Sequence, residues 1–326
     1  MGSENRISIS LRHTPGYVEP AWQEGKTLMQ ESSRDLCPNP ESYIELLRST
    51  PARTVCPNFY LFDHARGCNF NCSYCFLRDI EYNRKERRIF NDTDKLYREL
   101  SAWLAQDNLE TYLANAGNMT DGLSFEGERP LWGDLIEYMR ENAETKGRPH
   151  CLLVVTKAGL KHCGAFLEHK PCPNVIVSFS INAPEAARDH EAGAAPTEDR
   201  LIAAMRLKRL GWRVRVRMDP MIHGYDYSKL TEDIAALAPE RVTLGTLRAD
   251  PTLIPEVRGV SIFDKLGAPD PEGIARYPRE MRMAMYRPAV ERLSGICSMG
   301  LCEETEDVWL ELGLDAERKT CNCNPF

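Results

Sequence analysis

The chain has no uninterrupted apolar run long enough to cross a bilayer, which excludes a helical membrane span. Its opening stretch, MGSENRISISLRH, lacks the apolar core of a secretory signal, so a cytoplasmic protein with no membrane partner is expected. Internal repeats and low-complexity tracts are absent too. Positive charge is in short supply: 41 Lys and Arg stand against 48 Asp and Glu, a formal net charge of −7. Nothing global therefore draws the molecule to nucleic acid. The local exception, RLKRLGWRVRVRMD (Arg206 to Asp219), carries six basic residues. We read it as a solvated helix face followed by one polar strand face rather than as a basic groove. Cysteine is plentiful, with 12 in 326 residues. Without an export signal these are expected as reduced thiols and metal ligands, not as disulfides.

A length of 326 residues, 42% of them hydrophobic, suffices for one large α/β domain with extensions. Residues 1–55 are polar and proline-rich and read as an irregular N-terminal extension. Strand-sized apolar runs then recur at 58–63, 111–116, 151–156, 174–180, 213–218 and 241–246. Helical patterns lie between them. NDTDKLYRELSAWLAQ (91–106) opens on capping residues and sets Leu96, Leu100, Trp103 and Leu104 on one face. LWGDLIEYMRENAE (131–144) and PTEDRLIAAMRLKRLG (196–211) behave similarly, the second stopping at Gly211. Such alternation implies a parallel sheet with right-handed crossovers. Six units are too few for a closed eight-fold barrel, so residues 56–250 are expected to form an α/β partial (β/α)6 barrel. Its site would lie at the C-terminal ends of the strands. Residues 251–326 are expected as a C-terminal extension, with a helix near 280–293 and a cysteine-bearing tail.

RGCNFNCSYCF (66–76) places Cys68, Cys72 and Cys75 on one loop just after the first run. Gly67, Asn69, Asn71 and Ser73 between them are too polar for a core, which argues against three merely packed thiols. Thiolates suit zinc or iron–sulfur clusters. Three is an odd number, however: a structural zinc takes four ligands, and His64 is the only local candidate for the fourth.

Cys68-x-x-x-Cys72-x-x-Cys75, with Tyr74 and Phe76 beside the last cysteine, resembles the cluster motif of radical S-adenosylmethionine (SAM) enzymes. The resemblance implies a 4Fe-4S cluster held by Cys68, Cys72 and Cys75, with SAM on the fourth iron. An electron from the cluster would break a carbon–sulfur bond of SAM. The 5′-deoxyadenosyl radical so formed would take hydrogen from an unactivated carbon. An external electron donor such as flavodoxin or ferredoxin is implied as a partner. The Gly-Gly-Glu stretch of many such enzymes is absent. AGNMTDGLSF (116–125), VVTKAG (154–159) and SFSINAPE (178–185) are instead similar to the spore photoproduct lyase branch, over roughly residues 55–250. That similarity places Tyr74, Phe76, Thr120, Asp121, Lys157, Ser180 and Asn182 around SAM. Lys157 suits a carboxylate and Asp121 an ammonium. The chain departs from the lyase where hydrogen is returned to the substrate. Asn118 stands where the lyase has its donor cysteine, and Phe76 where it has a second tyrosine.

The tail holds Cys297, Cys302, Cys321 and Cys323. Three roles are open to it: a second iron–sulfur cluster or zinc site, hydrogen donation by Cys297 or Cys302, or packing. Asp219, His223, Tyr225 and Asp226 follow the fifth run, where they would either reach the substrate or cap a loop. Arg248, ending the sixth, would bind an anionic group or form an ion pair. The acidic net charge and the missing donor favour a small-molecule or sugar tailoring reaction over DNA: rearrangement, epimerisation or dehydrogenation. A nucleic-acid lesion lyase is the alternative, and a non-catalytic iron–sulfur or zinc protein a third.

Overall fold

The structure, a computed structural model, describes residues 42–47, 53–78, 87–249, 261–271 and 273–326. Most of the N-terminal extension, Cys37 included, lies outside these.

Eight strands form one sheet in sequential order. They are β1 (Ile44–Leu47), β2 (Phe59–Phe62), β3 (Leu113–Asn115), β4 (Cys151–Thr156), β5 (Val175–Ser180), β6 (Arg213–Met221), β7 (Arg241–Thr246) and β8 (Ser298–Leu301). β1 lies antiparallel on β2, and every later neighbour is parallel. β2 to β7 coincide with the six runs expected from sequence. The short pairing of Glu304 with Val55 joins the segment after β8 to the one before β2, opposite in the sheet order. All six residues of β4, β5 and β7 are buried, as in parallel strands covered on both faces.

Helices cover the outside. α1 (Thr93–Leu104) starts on Asp92, whose carboxylate accepts from the Lys95 amide, and buries Leu96, Leu100, Trp103 and Leu104. α2 (Trp132–Met139) buries Trp132, Leu135, Ile136 and Met139. α3 (Pro184–His190) is short, and α4 (Thr197–Leu210) ends on Gly211, whose φ of 100° suits only glycine well. α5 (Ser228–Leu237) and α6 (Arg279–Leu293) follow, and two short helices lie between and after these, Gly164–Glu168 between α2 and α3 and Glu306–Glu311 after α6. Among the described residues no helix is long and apolar enough to cross a membrane.

The basic stretch departs from expectation. Arg206, Lys208 and Arg209 are exposed on α4, as a solvated helix face should be. The strand face is not solvated. Arg213, Arg215 and Arg217 share the side of β6 that turns into the barrel with Ser178 and Ser180 of β5. Glu240 takes Arg213 and Arg215 at 2.7 Å each, and the C-terminal segment supplies backbone carbonyls. Arg215 donates to Asn322 O and Asn324 O, both at 2.7 Å, and Arg241 to Cys321 O and Asn324 O, both at 2.8 Å. Ser178 Oγ donates to Asn322 Oδ1 at 2.9 Å. The tail thus fills the barrel from the N-terminal ends of the strands. Charges face inward there because buried carbonyls and a carboxylate satisfy them.

Candidate active site

The loop after β2 carries the three cysteines across the C-terminal ends of the strands. Asn71 and Cys72 pair antiparallel with Ala192 and Glu191, and the Ser73 amide donates to His190 O at 2.8 Å. The segment after α3 therefore holds the loop down. Burial pushes the Cys68 thiol up to about 12, Asp121 adding to it. It raises Cys72 further, against the pull of Lys157. Buried thiols lose their protons where a metal neutralises them, so this trio fits a metal cluster. A mononuclear zinc fits poorly: among the described residues no three His, Cys, Asp or Glu side chains converge on a point that could hold one ion. His64 stays in the barrel wall, stacked on Phe62 with centroids 5.8 Å apart, and burial lowers its pKa to about 4.

Lys157, at the end of β4, lies beside the loop. Its Nζ is 5.8 Å from the centre of the Tyr74 ring and donates to Ser180 Oγ at 2.6 Å. The Asp121 carboxylate accepts from Thr156 Oγ1 at 2.7 Å, the Lys157 amide at 2.5 Å and the Leu123 amide at 3.0 Å. Burial still leaves its pKa raised. Asp121 thus fixes the start of the Lys157 loop. Thr120 is buried against the same turn. Asn182 Nδ2 donates to Pro220 O at 3.1 Å, while its Oδ1 accepts from Tyr227 OH at 2.7 Å, so its amide is engaged within the protein. Phe76 is 45% exposed, and Asn118 is half-buried beyond the end of β3. The structure brings Tyr74, Asp121, Lys157 and Ser180 together around the loop, and sets Asn182 behind them.

Sequence reasoning missed Glu191. This carboxylate, buried beside Cys72 in the paired strands, accepts from Tyr74 OH, lies 2.6 Å from Arg200 Nη1 and 3.9 Å from Lys157 Nζ, and takes Asn182 Nδ2 at 3.3 Å. Burial would raise its pKa, but Lys157, Arg200 and the Tyr74 hydroxyl hold it below the ordinary value. Its only sequence signal is an acid among small residues after a helix.

Asp219 meets Arg248 at 3.0 Å and also pairs with Arg217; despite burial, the two hold its carboxyl well below the usual range. Arg248 reaches Glu303 at 2.6 Å as well, the ion-pair reading of that residue. His223 Nδ1 lies 2.9 Å from Lys265 Nζ on the rim. Tyr225 OH contacts His190 Nε2 at 2.8 Å, and His190 Nδ1 contacts Ser73 Oγ at 3.1 Å, which brings Tyr225 to the cysteine loop. Asp226 caps the Ser228 amide at 2.9 Å. Three of the tail cysteines gather about Arg217: Cys302 Sγ accepts from it and from Arg248, and the Cys321 and Cys323 thiols, hydrogen-bonded to each other, lie within reach of its charge, while Cys297 stands apart, raised by burial alone to about 11.

Residues 54–244 match the family model described as spore photoproduct lyase. The spore photoproduct lyase of Bacillus subtilis strain 168 is 24% identical over 187 residues, covering 56% of this chain and 53% of the relative. The chain thus matches about half the length of that protein. Spore photoproduct lyase complexed with dinucleoside spore photoproduct superposes with a TM-score of 0.62 at 17% identity, over 74% of this chain and 75% of the other. A mutant with bound AdoMet and dinucleoside spore photoproduct gives a TM-score of 0.62 at 16% identity, over 86% and 95%. These structures share the fold. Their bound dinucleoside also overturns the expectation of a small-molecule substrate in preference to DNA, which rested on net charge and on a missing donor. Net charge is a property of the whole surface and does not report on one barrel mouth. With its cysteine loop, the ordered strand ends and a match across more than half its length, the chain belongs to the spore photoproduct lyase family of radical SAM enzymes.

Proposed function

We propose that this protein cleaves SAM reductively and acts on a nucleic-acid lesion of the dinucleoside-photoproduct kind. The observation that carries this reading is the Lys157–Ser180 pair against a loop of three buried or half-buried thiols. When bound, a 4Fe-4S cluster and SAM supply a reducing electron and a carbon-centred radical. The protein's part is to hold and aim. Cys68, Cys72 and Cys75 would ligate the cluster, Lys157 would pair with the SAM carboxylate, and Ser180 orients the Lys157 ammonium. Tyr74, clamped by Glu191, fixes the loop against the barrel. Burial around Lys157 and the loop excludes water from the reacting groups and strengthens each charged contact.

Anaerobic reconstitution with iron and sulfide, then dithionite and SAM, tests the reading. We expect 5′-deoxyadenosine to form, and dinucleoside spore photoproduct to be consumed in step with it. Formation of 5′-deoxyadenosine without any loss of the dinucleoside would refute the lesion assignment. A protein holding iron on the loop but cleaving no SAM would refute both parts.

A further inference from the structure

Hydrogen taken from a substrate must in most outcomes be returned, and neither the Asn118 amide nor the Phe76 ring holds a hydrogen weakly enough to give it up as an atom. The structure supplies a thiol on the other side of the barrel mouth. Cys302 follows β8, and its amide donates to Leu244 O at 2.7 Å, so it keeps the register of the sheet. Its side chain therefore shares the inward face of Gly300, which pairs with Thr243, which pairs with Arg217, which pairs with Ser180. The contacts run the same way. Ser180 Oγ, the acceptor of Lys157, donates to Asp219 O at 3.3 Å; Arg248 joins Asp219 at 3.0 Å to Cys302 Sγ at 3.2 Å.

Resting on the radical SAM reading above, we propose that Cys302 is the hydrogen-atom donor to the substrate radical. Arg217 and Arg248 each donate to its sulfur at 3.2 Å. They occupy the lone pairs, and the S–H has no acceptor among the described residues. Burial pushes this thiol up to about 12, Asp219 adding and the two arginines opposing, so the sulfur carries its hydrogen at neutral pH. Cys321, by contrast, is drawn down to about 7 by the Cys323 thiol. Cys302 is half-buried, while Cys321 and Cys323 are buried. Beside Arg217, Thr243 Oγ1 is buried, turned into the barrel and without a hydrogen-bond partner.

The step balances. The S–H bond breaks, a C–H bond forms on the substrate, and sulfur is left as a thiyl radical. One electron and one proton restore the thiol. The electron comes from the same external one-electron reductant that radical SAM chemistry requires, and Arg217 and Arg248 favour the thiolate that it first makes.

The test uses the reconstituted holoprotein, its Cys302→Ala and its Cys302→Ser variants. In heavy water with dithionite and SAM, the wild type should place solvent deuterium in 5′-deoxyadenosine or, with dinucleoside spore photoproduct present, in the product. Both variants should keep wild-type iron content and still cleave SAM, with deuterium transfer at background. Deuterium transfer that survives in the variants overturns the proposal, as does its absence from the wild type. If the wild type ignores the dinucleoside, the lesion reading fails alone, and deuterium in 5′-deoxyadenosine still decides on Cys302.

Discussion

Glu191 is almost without solvent, and groups from the cysteine loop, β4, α4 and the β5 end replace it: Tyr74, Lys157, Arg200 and Asn182. Removing one partner of such a cluster leaves the others charged and unpaired, at a cost of about 3–5 kcal/mol. Glu191→Gln should therefore lower stability by that order, read from urea unfolding. The pH dependence has a definite sign. A carboxyl held below its unfolded value stabilises above that unfolded value, and the contribution is lost as pH falls through the folded one. The acid limb of the stability curve should be shallower in Glu191→Gln. An unchanged urea midpoint together with an unchanged acid limb would show that the clamp contributes nothing. Lys157, Ser180 and the cysteines were legible in sequence because they sit in short motifs at strand ends. Glu191 and Arg217 were not, because their partners lie far along the chain: Tyr74 is 117 residues from Glu191, and Cys302 is 85 from Arg217.

At the level of elements, the six central strands were legible because parallel strands covered on both faces read as unbroken apolar runs. β1 and β8 were not. Ile44–Leu47 is four residues long with one charged, and Ser298–Leu301 contains Gly300, so neither run announces a strand. The glycine has a packing reason. A Cβ there would lie 2.3 Å from Thr320 O, because the tail backbone passes directly over β8. Gly300→Ala must displace either the strand or the tail, and overpacking of this kind costs about 1–3 kcal/mol. We expect a lower melting temperature, with the cysteine loop still able to take up iron. A variant that melts like the wild type would mean that the tail does not pack on this strand.

Across the whole molecule, the two ends of the barrel do different work. The C-terminal strand ends carry the cysteine loop, Lys157, Ser180 and Cys302. At the opposite end the last residues close the barrel, and their carbonyls hold Arg215 and Arg241. Arg215 has a fully buried side chain. Deleting residues 320–326 would strip those acceptors from charged groups that cannot reach water. Each hydrogen bond to a charged group is worth about 1.5–3 kcal/mol, so losing several should cost a large part of a typical fold's stability. The expected outcome is unfolding at a much lower urea concentration. Restoration by an added peptide of residues 320–326 would separate a lost plug from a failure to fold. A full-length variant with Cys321 and Cys323 both changed to Ser keeps the backbone carbonyls, and so should keep most of the stability. Its iron content answers a second question. Wild-type iron per chain would mean that these thiols only pack and that the metal lies on the cysteine loop. Iron below the wild type, with the fold intact, would mean that the tail ligates metal of its own, and the closure of the barrel would then depend on that metal as well as on the arginines.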